Sequence, residues 1–432
     1  MLATAWPKRR PSRRRTITPA DKTSATDRWF ARPDLILAGG LFLFATIGAM
    51  AKQAMAPVSI ALALGLLAVT LCNQRRSALP SLSVVLLFAV FVTYVAGVHL
   101  PPALGEADWA ETIAKLGMLA IVLWLASAGW NGPIRSDRLA FIARWALAGL
   151  AIGSAFLLME LTFDSPFRRL SDGLAASVVI DPARYNRPAV GLLLLSLPLA
   201  GLLARQVGRR HALVALLLGL APALASQSAA GWLAALIAAL VYVTARWRPR
   251  AVLIAGSVLT VGLVIGAPPL LTAAYQTSVR QEIAMPLSFT DRLEIWDHAS
   301  DAIRQAPWTG QGLGSVRHLP LSDEQRSRYR YHKAPATHAH NAALQIWVEF
   351  GAIGIAVGLV LLGIAANAIR QMDRNAQPVA LATASALLVI AMVSFGLWQE
   401  TWMGLIGVTI VVIRLAALPA PGGMAEPPAG PV

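Results

Sequence analysis

The sequence predicts an all-α integral membrane protein, with about twelve transmembrane helices and one large loop on the outer face. Three observations predict it. Of the 432 residues, 56% are hydrophobic and only 14% charged, against about 45–50% and about 25% in soluble domains. The apolar residues cluster into runs near the roughly 20-residue length that spans a bilayer. The basic residues punctuate those runs, more heavily on one side of the chain's windings than on the other. This composition excludes a soluble enzyme and a disordered chain. The net charge of +15 follows the positive-inside pattern, not a nucleic-acid-binding face, so no nucleic acid partner is expected. The one cysteine, Cys72, allows no intrachain disulfide and no cysteine-based metal site, and reads as a small apolar residue at a helix end.

Taken in order, residues 1–33 hold Lys8, Arg9, Arg10, Arg13, Arg14, Arg15, Lys22, Arg28 and Arg32, and read as a disordered basic cytoplasmic tail. Ala49-Met50-Ala51 looks like a signal-peptide cleavage site, but the tail and the apolar stretch exceed a signal peptide's usual length, so an uncleaved first span is expected. The apolar runs fall at about 34–51, 58–72, 81–100, 112–130, 139–161, 189–204, 212–226, 230–245, 251–267, 342–366, 379–397 and 402–418. They divide the chain into helices 1–9 over 34–267, a loop over 268–341, helices 10–12 over 342–418 and a cytoplasmic tail over 419–432. An even count puts both termini on one side. Leaving out the long loop, which the rule largely exempts, the tail's side carries 23 Lys and Arg against 6 opposite; the tail is expected in the cytoplasm.

The outer face then holds residues 162–188 and the loop 268–341, and a connection that long is usually functional or disordered. Within it Asp291 and Glu294 form a capping-box-like start. Leu293, Trp296, Ala299 and Ile303 make an apolar stripe before Pro307, so an amphipathic helix lying apolar face down is expected. Gly310, Gly312 and Gly314 follow. No strand precedes them and no helix opens from them, so they read as a flexible turn rather than a dinucleotide site.

Four features on this face could carry chemistry. In Thr337-His338-Ala339-His340-Asn341, a helical register puts His338, Asn341, Gln345 and Glu349 on one face. A carboxylate such as Glu349 inside an apolar run needs a cavity or a partner. A neutral imidazole there suits general-base work. The bland alternative is a pair of interfacial histidines beside a helix cap. Zinc on His338, His340 and His332 lacks ligands at a familiar spacing, so no metal and no cofactor are expected. Arg184-Tyr185-Asn186-Arg187-Pro188 enters the sixth run, and Arg292 sits in the loop helix with Arg280 and Arg317 nearby in sequence. Converging arginines match diphosphate oxygens, whereas a lone one beside a span snorkels to lipid headgroups. Arg326, Arg328, Arg330 and Lys333 read as a solvated face. Glu106 and Asp108 could hold a divalent metal but read first as a solvated loop, and Trp398 and Trp402 as interfacial anchors.

The string His338-Ala-His340-Asn341, followed by Trp347-Val-Glu349-Phe-Gly351 and Gly354, resembles the signature of the O-antigen ligase and polymerase superfamily. Arg292…Trp296 with Pro307-Trp308-Thr309-Gly310-Gln311-Gly312 is similar to a second segment of that superfamily, and Asn186-Arg187-Pro188 to its arginine-bearing span start. The resemblance implies a metal-independent, GT-C-like glycosyltransferase of the bacterial inner membrane. Its donor would be a glycan on undecaprenyl diphosphate and its acceptor, for a ligase, the lipid A–core oligosaccharide, met on the periplasmic face. His338 would be the catalytic histidine and Arg187 and Arg292 the diphosphate-binding residues, with Arg184, His340, Asn341 and Glu349 supporting. A single displacement would invert the anomeric centre. The chain departs from the pattern at Gln227-Ser228-Ala229-Ala230-Gly231, where the superfamily often has Ser-Arg-Gly. A polymerase or a protein O-oligosaccharyltransferase would use the same donor and residues. A transporter would show charges near the midplane and repeated halves, and no clear repeat is present.

Overall fold

The computed structural model describes residues 32–73, 80, 82–99, 106–127, 134, 136–175, 177–281 and 283–418. Almost all of both expected tails (1–31 and 419–432), Arg75, Arg76, Arg135 and the side chains of Glu106 and Asp108 lie outside the described residues. Among the described residues there are helices and no strand. They are α1 (Pro33–Met50), α2 (Met55–Asn73), α3 (Leu82–His99), α4 (Glu106–Ser127), α5 (Ser136–Thr162), α6 (Pro166–Asp172), α7 (Asn186–Gln206), α8 (Arg209–Ala225), α9 (Ala229–Trp247), α10 (Pro249–Arg280), α11 (Leu287–Gln305), α12 (Asp323–Arg328), α13 (Ala342–Gln371), α14 (Gln377–Val393) and α15 (Glu400–Ala417). Each of the twelve apolar runs falls on one of these. Among the described residues, nine helices are long and apolar enough to cross a membrane. The runs on α3, α8 and α14 form shorter helices.

Helix α7 is the core of the bundle. Leu192, Leu194, Leu195, Leu199, Leu202 and Leu203 are all buried, and the helix packs against α5, α8, α14 and α15. Small residues let the backbones close up. A Cβ on Gly149 or Gly153 of α5 would stand 2.5 Å from the Phe42 carbonyl oxygen or 2.4 Å from that of Ala45 on α1. Without a hydrophobic force between helices in lipid, such close packing is what holds them together.

Helix α10 continues past residue 268, through Pro268 and Pro269, to Arg280. A proline lacks the N–H that would bond the carbonyl four residues back, and here the orphaned Val264 carbonyl accepts the Trp347 indole N–H at 2.9 Å. The amphipathic helix is present as α11, with Leu293, Trp296, Ala299 and Ile303 buried against α10 and α13. Its start differs from the expectation. The helix opens at Leu287, so Asp291 and Glu294 cap nothing. The buried Glu294 carboxylate instead accepts the backbone N–H groups of Arg330, Tyr331 and His332 at 2.7, 2.8 and 2.8 Å. It organises a distant strip of the loop rather than its own helix.

The same helix face builds a closed polar network. Asp297 accepts the Tyr329 hydroxyl at 2.8 Å and Arg328 at 2.7 Å, so Arg328 is tied inward and not part of a purely solvated face. His298 Nδ1 meets His332 Nε2 at 2.9 Å, and His298 Nε2 meets the Pro320 carbonyl at 3.1 Å. A carbonyl only accepts, so His298 carries its proton on Nε2 and His332 donates to its Nδ1.

Candidate active site

The turn before α13 carries both histidines. Asn341 caps that helix, its side chain accepting the Leu344 N–H at 2.9 Å, so His338 lies outside the helix and shares no helical face with Gln345 and Glu349. His340 adopts a left-handed φ of 52°. Its Nδ1 donates to the Ser394 carbonyl at 2.9 Å, and the two imidazole centroids stand 4.0 Å apart. His332, the third ligand of the zinc alternative, belongs instead to the pair with His298. Among the described residues, no three His, Cys, Asp or Glu side chains group to hold a metal.

The hairpin between α14 and α15 receives the histidines. Gly396 has room for nothing more than hydrogen, since a Cβ would stand 2.8 Å from the His338 ring. The Gln399 amide nitrogen reaches His338 Nε2 at 3.5 Å, and His338 Nδ1 meets the Thr337 hydroxyl at 2.9 Å. Two side chains of α13 pin this hairpin: Gln345 accepts the Leu397 N–H at 2.9 Å and Glu349 accepts the Trp398 indole N–H at 2.5 Å. Trp398 and Trp402 are buried, so neither is an interfacial anchor. The polar neighbour Glu349 turns one inward, and stacking on Phe395 buries the other.

Glu349 also binds Gln345 at 3.0 Å and the Gly314 N–H. Each of its oxygens thus has a side-chain donor, and its contribution is positional. Two residues on, α13 breaks at Gly351, φ 58° and ψ −154°. Gln311 and Gly312 donate to the freed carbonyls of Val348 and Glu349 at 2.7 and 3.0 Å. Pro307 and Trp308 accept from Ala352 and Ile353 at 2.9 and 3.2 Å. Gly310 must be glycine: its φ is +70° and a Cβ would lie 2.4 Å from the helix backbone. The expected flexible turn is therefore a clamp, because a broken helix in a membrane must have its backbone groups satisfied by protein.

Cations surround His338. Burial, His340 and the charges of Arg187, Arg292 and Arg317 push its imidazolium down to about 3; His340 is lowered too, chiefly by burial. Both arginines singled out from the sequence, on α7 and α11, thus act on the same two rings. Among the described residues neither Arg187 nor Arg292 has a carboxylate within ion-pair distance; Arg187 lies 5.7 Å over the Phe395 ring. Arg317 is held in a two-pronged bond to Glu111 at 2.6 and 2.8 Å, and Glu111 also pairs with Lys115 at 3.0 Å. Arg184 is exposed and, with Arg187, adds its field at Lys52. Buried Tyr185 sets this turn in place by bonding Glu160. Where the arginine of the superfamily pattern is absent, Ser228 caps α9 at 3.1 Å, and Gly231 packs on Val190, one turn beyond Arg187. An apolar cavity of about 360 Å³ begins at Ala342, two residues after His340, and is lined by Phe91, Ala343, Ile346, Phe350 and Trp398 among others.

The sequence reading missed Gln399, Gly396 and Lys52. Only the polar Gln399 within an apolar stretch offered a signal.

A family model described as O-antigen ligase matches residues 213–359. A protein of Rickettsia felis named "Putative polysaccharide ligase" is 26% identical over 220 residues, 49% of this chain and 53% of its own length. One of Rickettsia conorii, of the same name, is 28% identical over 141 residues, 32% and 34% of the two chains. One of Rickettsia typhi is 30% identical over 138 residues, 30% and 33%. The chain thus spans between a third and about half the length of these relatives. The matched segment holds Arg292, His338, the Gly351 break and Glu349, and over it this chain is similar to the O-antigen ligase family.

Proposed function

We propose that the protein is a polysaccharide ligase of the bacterial inner membrane. It transfers O-antigen polysaccharide from undecaprenyl diphosphate to the lipid A–core oligosaccharide at the periplasmic face, with both termini in the cytoplasm. One observation carries this reading: a neutral imidazole lies within the field of two arginines that form no ion pair among the described residues. A cationic group not tied up in an ion pair fits an anionic ligand, and guanidinium forks match diphosphate oxygens. The adjacent apolar cavity suits the polyprenyl chain of such a donor.

In this mechanism His338 Nε2 takes the proton of an acceptor-sugar hydroxyl as its oxygen attacks the donor's anomeric carbon. Arg187 and Arg292 stabilise the departing diphosphate, and one displacement inverts the centre without a metal. After burial, the same arginines hold down the basicity of His338. Diphosphate bound to them offsets their charge, so the donor strengthens the base that acts on its acceptor.

The test is reconstitution of purified protein with undecaprenyl-diphosphate-linked glycan and core lipid A extracted from the source bacterium. A single joined product that is lost in His338→Ala is the expected result. A ladder of glycan repeats without core lipid would make it a polymerase, and transfer to neither would reject both.

A further inference from the structure

Polar atoms sealed away from water are nearly always paired, and leaving one unpaired costs about 1–3 kcal/mol. Three that have no partner lie on the two segments that carry Arg187 and the Phe395 hairpin. They are Gln399 Oε1, Asn186 Oδ1 and Trp402 Nε1. Trp402 stacks on Phe395 at 4.9 Å, Arg187 lies over the same ring, Asn186 is its chain neighbour, and Gln399 belongs to the Phe395 hairpin. The approach of Gln399 Nε2 to His338 Nε2, 3.5 Å, is at the limit of a direct hydrogen bond. An oxygen placed beside that pair reaches both nitrogens.

We propose that Gln399 forms the subsite for the attacking hydroxyl of a polyhydroxylated acceptor, a sugar ring; this rests on His338 being the base. A hydroxyl both donates and accepts. The attacking O–H donates to His338 Nε2 and accepts from the Gln399 amide N–H, and a neighbouring hydroxyl donates to Gln399 Oε1. When the proton passes to His338, the oxygen forms the new bond to the anomeric carbon. The anomeric bond to the diphosphate breaks, and its electron pair leaves with the lipid diphosphate. Gln399 aims the oxygen and favours a sugar over water.

Gln399→Met keeps the bulk and removes the hydrogen bonds. With the core lipid acceptor it should lower kcat/KM about ten- to hundredfold, leave binding of undecaprenyl diphosphate unchanged, and raise the ratio of hydrolysed to transferred glycan. Gln399→Glu places a carboxylate against an imidazole otherwise faced by His340, Arg187, Arg292 and Arg317. It should move the acid limb of the pH profile upward, and it serves if the methionine variant does not fold. Acceptor kcat/KM within about twofold of the parent (under ~0.5 kcal/mol), equal losses for donor and acceptor, or an unmoved acid limb would overturn the subsite. If His338→Ala still transfers, the reading of the base fails with it, and that control separates the two failures.

Discussion

Among the described residues the protein has two histidine pairs, with His298, His332 and His338 buried and His340 half-buried, and their surroundings differ in one respect. Around His298 and His332 the polar groups are matched: each ring nitrogen in the pair contact has its partner, Asp297 has Tyr329 and Arg328, and Glu294 takes three backbone N–H groups. The charges that shift His338 are all cationic, with only Arg317 tied to a carboxylate, and Gln399 Oε1 beside it is unmatched. Both regions are buried, so burial does not tell structure from function here. Saturation does: a network whose members satisfy one another has nothing left to offer a ligand.

The sharpest way to break this contrast is to exchange the damage. His338→Ala should cut transfer by about 10²–10⁴-fold with the melting temperature preserved, whereas His298→Ala should lower the melting temperature and spare the rate of whatever stays folded. Rates and thermal melts on the same samples decide it; the reverse pattern would exchange the roles of the two pairs. Next in size, Glu294→Ala strands three backbone donors and should destabilise the loop by about 3 kcal/mol or more, seen as proteolysis between α11 and α13. Arg292→Ala removes a cation without a partner. It should weaken undecaprenyl diphosphate binding about ten- to hundredfold at little cost in stability, while Arg328→Ala, which uncovers buried Asp297, should do the opposite.

Acidification draws stability from both pairs, because burial lowers His332 and His338 alike. Burial and His298 lower His332 to about 4, below the roughly 6.5 of an unfolded histidine. Between those values the unfolded chain binds the extra proton, so stability is complete above about pH 6.5 and declines as pH falls toward 4. His338 stays neutral through that whole window. Activity lost there should follow the melting temperature and return on neutralisation; a loss with no change in melting would mean that bound donor has raised His338 into that window. Smallest of all, EDTA should leave transfer unchanged, and a loss restored by a divalent ion would bring Glu106 and Asp108 back as metal ligands.

Much of this was legible in the chain. The apolar runs found their helices because a segment in lipid has to satisfy its backbone within itself, which is a local demand. The stripe of α11 was legible for the same reason. His338, Arg187 and Arg292 stood out as polar groups at places that disfavour them. The start of α11 was misjudged because Glu294 serves residues 330–332 rather than its own helix. The α13 break was hidden because the segment 307–312 that satisfies it is distant in sequence. The tryptophans of the last hairpin looked like anchors until Glu349 and Phe395 were seen to bury them.

By itself, then, the sequence determined which stretches are helical and which few polar residues lie at their ends, since hydrophobicity and helix formation act over neighbouring residues. Only the tertiary structure decided which of those polar groups neutralise one another and which stay unmatched. Pairing joins segments far apart in the chain, and no spacing along it records who meets whom.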